Sequence, residues 1–425
     1  MTVLDSVIVG AGHAGLAIAS CLREQGRGFV VLERGRIGET WRSQRWDSFQ
    51  VNTPNWMNLL PGQELGGAPR DGFLHRDELV RGFERYAEER ALPVTTGIAV
   101  TAVGHLDSAG TFVVRGTASG GGPVSWTARS VVVASGMQRQ PRLPGFGREL
   151  PPGMAQLHSA QYRSADVLPP GAVVVVGSAQ SGCQIAEELL AAGRTVYLCA
   201  SRVARVPRRH RGRDITEWWL DAGFWDQTVA DLEDPAMRLA PQPQVSGVGR
   251  RGHTVSLQQL ARDGALLLGR ALGVNEGRLE LDSRLGAYVR FADERSAKMK
   301  QDIDAAILRA AGTLAADEDD PADVPAPELY DVSGPAELDL RAAGVGAIIW
   351  CTGFTAEFGW LRLPVLDARG APVHEGGVSP VPGLYFLGFP WLRKRKSGII
   401  FGIAEDAARI AEAVKQHLPP APPSR

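Results

Sequence analysis

The chain is poor in cysteine and nearly devoid of lysine. Its four cysteines (Cys21, Cys183, Cys199 and Cys351) are spread over 425 residues, and no two are spaced C-x-x-C. A disulfide reductase needs a closely placed redox pair, so that chemistry is disfavoured and all four read as reduced core thiols. Five lysines stand beside 41 arginines, a bias that, with abundant Ala and Gly, looks like high-GC coding rather than a function. The formal net charge is only −1, so no global field points to nucleic acid or an anionic membrane. No run of 18 apolar residues occurs, and no membrane span is expected. The apolar N-terminus lacks the basic region of a signal peptide. H-E-x-x-H and G-x-S-x-G are also missing. The expectation is a cytoplasmic protein of two or three domains without a catalytic metal or a serine nucleophile.

What is present is a pair of glycine-rich loops about 165 residues apart. The first, Gly10-Ala11-Gly12-His13-Ala14-Gly15, follows the apolar run Ser6-Val7-Ile8-Val9. The second, Gly177-Ser178-Ala179-Gln180-Ser181-Gly182, follows Ala172 and four valines. Each stands between a strand pattern and a helix pattern, where glycines permit a tight turn, backbone approach to a pyrophosphate and a helix N-terminus facing the charge. Two such loops imply two dinucleotides and electron transfer between them.

The strand after the first loop ends at Glu33, 23 positions beyond Gly10. A carboxylate there accepts bonds from ribose hydroxyls and repels a 2′-phosphate, which favours FAD or NAD at the first site. The strand after the second loop, Thr195-Val196-Tyr197-Leu198-Cys199, carries no carboxylate and leads to Ser201 and Arg202. An arginine suits a 2′-phosphate, hence NADPH; the alternative is a solvated loop arginine. Two apolar strands end in small residues, one at Ser135-Gly136 and one at Thr352-Gly353, where backbone can lie against a cofactor. The last strand reaches Gly388, and Ile400 precedes a helical pattern at 404–418, whose N-terminal dipole would face the flavin's pyrimidine edge. The region 214–345 is harder to read. It suggests helices at 214–222 and 292–311, and a surface loop from Asp317-Glu318-Asp319-Asp320 to Pro327.

Together these residues resemble the flavin-containing monooxygenases, including the plant YUCCA enzymes. Further anchors are Gly38-Glu39-Thr40-Trp41, Trp46-Asp47-Ser48, His158 to Tyr162 and Cys351-Thr352-Gly353-Phe354. The family fingerprint F-x-G-x-x-x-H-x-x-x-(W/Y) keeps His158 and Tyr162 but has Pro152 and Met154 at the F and G positions. The resemblance implies an α/β fold of two Rossmann-like dinucleotide-binding domains, the second inserted into the first. Residues 1–165 and 336–425 would bind FAD, with Trp41 against it, and 166–335 would bind NADPH. It further implies that His158 and Tyr162 couple the domains and position NADPH. Asn52, four residues after Ser48, would hydrogen-bond the oxygen adduct; alternatively it is a turn asparagine before Thr53-Pro54. The implied reaction forms a flavin 4a-hydroperoxide from NADPH and dioxygen and passes one oxygen atom to a small organic substrate. An NADPH-dependent flavoprotein reductase is the competing reading, and a homodimer is left open. For Trp218, Trp219 and Trp225 the choices are core or cleft. For Arg205, Arg208, Arg209, Arg211 and Arg213, and for Arg393-Lys394-Arg395-Lys396, solvent exposure is expected.

Overall fold

The computed structural model describes residues 3–106, 110–241, 243–247, 251–316 and 320–420. Asp317-Glu318-Asp319 of the expected acidic loop and the end of the proline-rich tail lie outside them. Two sheets organise the chain. In the first, the spatial order is Val94–Thr95, Phe29–Leu32, Leu4–Val9, Pro123–Val133, Phe112–Ala118 and Ile98–His105, with Leu384–Phe386 also on Pro123–Val133. Pro123–Val133 serves two arrangements. Its first half is the last strand of the antiparallel meander, and Val131, Val132 and Val133 pair in parallel with Leu4–Val9 and Leu384–Phe386. Those valines are fully buried, because helices cover a parallel sheet on its faces and unbroken β-branched runs suit it. Helices His13–Glu24 and Ile403–His417 close this core.

The second sheet is wholly parallel, in the order Leu266–Leu268, Val196–Cys199, Ala172–Val176, Val345–Trp350 and Ala155–His158. Helix Gln180–Ala191 forms its first crossover. The expected span 166–335 is therefore too narrow for this unit, since Ala155–His158 and Val345–Trp350 both lie outside it. Strand partners far apart in sequence decide this, and no local pattern announces them. The insertion carries helix Ile215–Asp221, capped by Asp214, whose carboxylate accepts from the Thr216 N–H at 2.9 Å. It also carries a longer helix than expected, Leu285–Ala311. Among the described residues no helix is long and apolar enough to cross a membrane.

Candidate active site

The first glycine loop is shaped by three different constraints. Gly10 has φ +108°, and a Cβ there would lie 2.5 Å from the Ala134 carbonyl oxygen. A Cβ on Gly15 would lie 1.8 Å from the Gly10 carbonyl oxygen, so helix His13–Glu24 approaches its own loop only because Gly15 has no side chain. Above Gly12, by contrast, nothing stands within 4 Å. That space opens into a cavity of about 400 Å³. Of the residues expected to hold the first cofactor, Gly10, Gly12, Glu33, Trp41, Ser135, Gly136, Gly388 and Ile400 line it, as does Asn52. Gly15 lies beneath the loop. Glu33 accepts from the Ala11 and Gly35 backbone N–H groups, both at 2.8 Å. Burial raises its pKa, and the two amides oppose that rise. The open cradle over Gly12, and beside it the buried His13 Nε2, which has no hydrogen-bond partner among the described residues, fit an FAD pyrophosphate and its neighbours.

The second loop repeats the construction. Gly177 has φ +109° with a Cβ position 2.6 Å from the Cys351 carbonyl oxygen, and Gly182 would place one 1.7 Å from the Gly177 carbonyl oxygen. Ser178 Oγ accepts from the Ser201 N–H at 2.9 Å, which pins the strand tip to the loop. Arg202, next in the chain, is solvent-exposed and has its guanidinium 4.0 Å from the Phe291 ring centroid. Gln180 and Ser181 open the helix, and Gln180 Oε1 is buried and unpartnered, which fits a second nucleotide. None of these residues lines the first cavity. Nor do His158, Tyr162, Thr352 and Gly353, which stitch the strand ends together. His158 Nε2 donates to the Gly353 carbonyl at 2.9 Å, and its Nδ1 accepts from the Ala160 N–H at 3.1 Å. Burial holds this imidazole below its ordinary pKa, against the Gly353 bond, which acts to raise it. Tyr162 donates to Glu188 of the loop's own helix at 2.7 Å, and Thr352 donates to the Arg142 carbonyl.

A family model described as pyridine nucleotide-disulphide oxidoreductase matches residues 7–220, both loops included. The chain belongs to that family. It is similar to an uncharacterized oxidoreductase CzcO-like of Geobacillus kaustophilus, 28% identical over 424 residues that cover 98% of this chain and 99% of that one. It is 32% identical to indole-3-pyruvate monooxygenase YUCCA1 of Oryza sativa subsp. japonica over 192 residues, 43% of this chain and 44% of that one. Its fold is similar to a flavin-containing monooxygenase from Stenotrophomonas maltophilia, with TM-score 0.66, 18% identity and 98% and 99% of the two chains covered. The chain is thus an oxidoreductase of the pyridine nucleotide-disulphide family by its sequence, and it shares its fold with a flavin-containing monooxygenase. It carries no disulfide: all four cysteines are free, and burial pushes Cys21 up to about 11 and Cys199 and Cys351 up to about 12.

Several basic residues of this oxidoreductase lie where the sequence did not put them. Arg205 is buried against Asp293 and Asp323, and Arg208 against Asp214. Arg211 pairs with Asp304 at 2.8 Å. For these three the expectation of solvent exposure fails because Asp293, Asp304 and Asp323 arrive from a distant segment, and Asp214 turns back on Arg208 from six residues away. In the same way Lys394 and Lys396 both pair with Asp226 and Glu405, Arg393 with Asp406, and Arg395 stacks 3.9 Å over Phe224. These charges bind the insertion to the last helix instead of forming a patch. Trp219 and Trp225 are core, packed with Met57, while Trp218 is partly buried beside them. The cavity wall at that point is Met57, Ile399 and Phe401. Sequence reasoning missed His13 and Arg45. Arg45 lines the cavity between Trp41 and Phe49, 5.2 and 5.5 Å from their ring centroids, and donates to Gln138 at 2.7 Å. Burial pushes its guanidinium down to about 10. His13 stands inside the first loop and could have been flagged there; Arg45 had no local signal.

Proposed function

We propose that the chain is a monooxygenase which transfers one oxygen atom from dioxygen to a small organic substrate: substrate + O₂ + NADPH + H⁺ gives oxygenated substrate + H₂O + NADP⁺. FAD, when bound, supplies the two-electron carrier that links NADPH to dioxygen. In this reading the unit built on the first sheet holds FAD. Gly10, Gly12 and the N-terminus of His13–Glu24 hold its pyrophosphate, with Gly15 letting that helix come close. Glu33 takes a ribose, and Trp41, Ser135, Gly136, Gly388 and Ile400 border the ring. The unit built on the second sheet holds NADPH through Gly177, Ser178, Gln180, Ser181, Gly182 and Ser201, with Arg202 on the 2′-phosphate. His158, Tyr162, Thr352 and Gly353 keep that sheet's strand ends in register with the first unit. The observation that carries the oxygenase reading is that Asn52, Met57, Ile399 and Phe401 all form part of the cavity wall. Asn52 there offers a hydrogen-bond donor, and the three apolar side chains keep water out.

N- or S-oxygenation, oxidative decarboxylation of a 2-oxo acid and Baeyer–Villiger insertion all fit this wall. Incubation with NADPH, labelled dioxygen and a panel of amines, sulfides and indole-ring acids tests the reading by mass spectrometry. One labelled oxygen per product supports it. NADPH consumption that yields only stoichiometric hydrogen peroxide, or reduction of an added acceptor, overturns it in favour of a flavoprotein reductase. The same reading puts the protein in the cytoplasm, as a monomer or homodimer, which fractionation and sedimentation test.

A further inference from the structure

The second glycine loop is joined to Asn52 by a continuous run of contacts. Segment 243–247 crosses the loop: Gln180 Nε2 donates to the Pro243 carbonyl at 3.0 Å, and Gln244 Nε2 donates to the Ser178 carbonyl. The segment is held from behind, with the Gln244 N–H donating to the Ala204 carbonyl at 2.8 Å. Its far end meets Arg208. One guanidinium nitrogen, Nη1, donates both to the Ser246 carbonyl at 3.2 Å and to the Asn52 carbonyl at 2.8 Å. The guanidinium has little freedom: Nε donates to Asp214 at 2.7 Å, and its carbon lies 4.4 Å from the Phe73 ring centroid. Packing runs beside the hydrogen bonds. A Cβ on Gly247 would lie 2.2 Å from the Val51 carbonyl oxygen and 2.7 Å from the Asn52 Cα, so 243–247 presses directly on the turn that carries Asn52.

Close-packed contacts of this kind transmit a displacement instead of absorbing it. A nucleotide settling on the second loop must meet the segment bonded to Ser178 and Gln180, and that segment cannot shift without Arg208 and the Asn52 turn. We propose that Arg208 is a positioning residue that ties Asn52 to the nicotinamide-nucleotide loop, so that occupancy of the loop sets the place of Asn52 at the flavin cavity. The proposal rests on the reading that the second loop holds NADPH. Arg208 touches no reacting atom; it acts through the Asn52 backbone.

Titration of the FAD-loaded enzyme with NADP⁺ tests this without turnover, with binding measured by equilibrium dialysis and the response read in the flavin absorption band. Wild type should bind NADP⁺ and shift that band. Arg208→Lys keeps the charge but loses the fork, and should bind NADP⁺ with the shift abolished. In turnover its hydrogen peroxide released per NADPH should rise about tenfold. Gln244→Ala cuts the run at its other end, leaves the Arg208–Asp214 pair intact, and should lose the shift in the same way even if Arg208→Lys fails to fold. A full-size shift in Gln244→Ala, or in a folded Arg208→Lys, overturns the proposal. NADP⁺ binding to wild type with no flavin shift overturns the proposal alone. No binding at all removes the nucleotide reading along with it.

Discussion

The case for NADPH over NADH can be tested at one side chain. Arg202 is exposed, and its neighbour Ser201 is bonded to the second glycine loop through Ser178 Oγ at 2.9 Å. No ion pair to a carboxylate is formed by Arg202 among the described residues, and its guanidinium carbon lies over the Phe291 ring, 4.0 Å from the centroid. A bound 2′-phosphate would thus meet a pre-placed, uncompensated cation. A hydrogen bond to a charged group is worth about 1.5–3 kcal/mol, or roughly 10- to 150-fold in affinity at about 1.4 kcal/mol per decade. Solvent and salt screen an exposed pair, which is worth about 0.2–1 kcal/mol, so the discounted effect is about 2- to 5-fold. Arg202→Ala should raise the KM for NADPH by that factor, leave the KM for NADH nearly unchanged, and leave kcat at saturating NADPH close to wild type. Arg202→Lys should fall between, because it keeps the charge and loses the two-pronged geometry. The preference for NADPH in wild type should also shrink as salt is raised. Steady-state kinetics with both nucleotides decide the matter: equal rises in the two KM values would refute 2′-phosphate recognition by this residue.

Three further outcomes follow from the geometry. Gly15→Ala puts a methyl 1.8 Å from the Gly10 carbonyl oxygen, and Gly182→Ala puts one 1.7 Å from that of Gly177; overpacking of this kind costs about 1–3 kcal/mol or more. The first variant should purify with little FAD, whereas the second should keep its flavin yet resist reduction by NADPH, and identical flavin loss in both would contradict the assignment of the loops. Trp225→Ala removes a buried ring packed on Trp219 and Phe401 at 5.4 and 6.2 Å, so stability should drop by about 3–5 kcal/mol in denaturant titration. Burial lowers the His13 pKa from 6.5 to about 4. Between those values the unfolded chain binds a proton that the folded apoprotein does not, so apoprotein stability should fall as pH drops from 6.5 towards 4. His13→Asn should flatten that slope in a Tm-versus-pH series, and an unchanged slope would show that His13 is not its source.

Legibility differed sharply between kinds of residue. The glycine loops, Glu33 and the small-residue strand ends could be read because their requirements are local: φ angles, missing Cβ atoms and a fixed spacing from strand to carboxylate. The placement of His158 against Gly353, 195 residues away, was not a local matter. Nor were the partners of Arg205 and Lys394, whose acids include ones 88 to 168 residues away along the chain. An arginine or lysine run looks the same in sequence whether water or carboxylates surround it.

The amino-acid sequence by itself determined that two glycine loops of the same design follow two buried strands, and which of them carries an acid and which an arginine at the next strand tip. Short-range sterics and charge suffice for that. Only the tertiary structure decided that Ala155–His158 and Val345–Trp350 complete the second sheet, that the tryptophans of the insertion form core behind Met57 and Phe401, and that Arg208 joins Asn52 to the second loop. Each of those outcomes depends on which distant surfaces bury one another and which buried charges find partners, and both are properties of the packed chain as a whole.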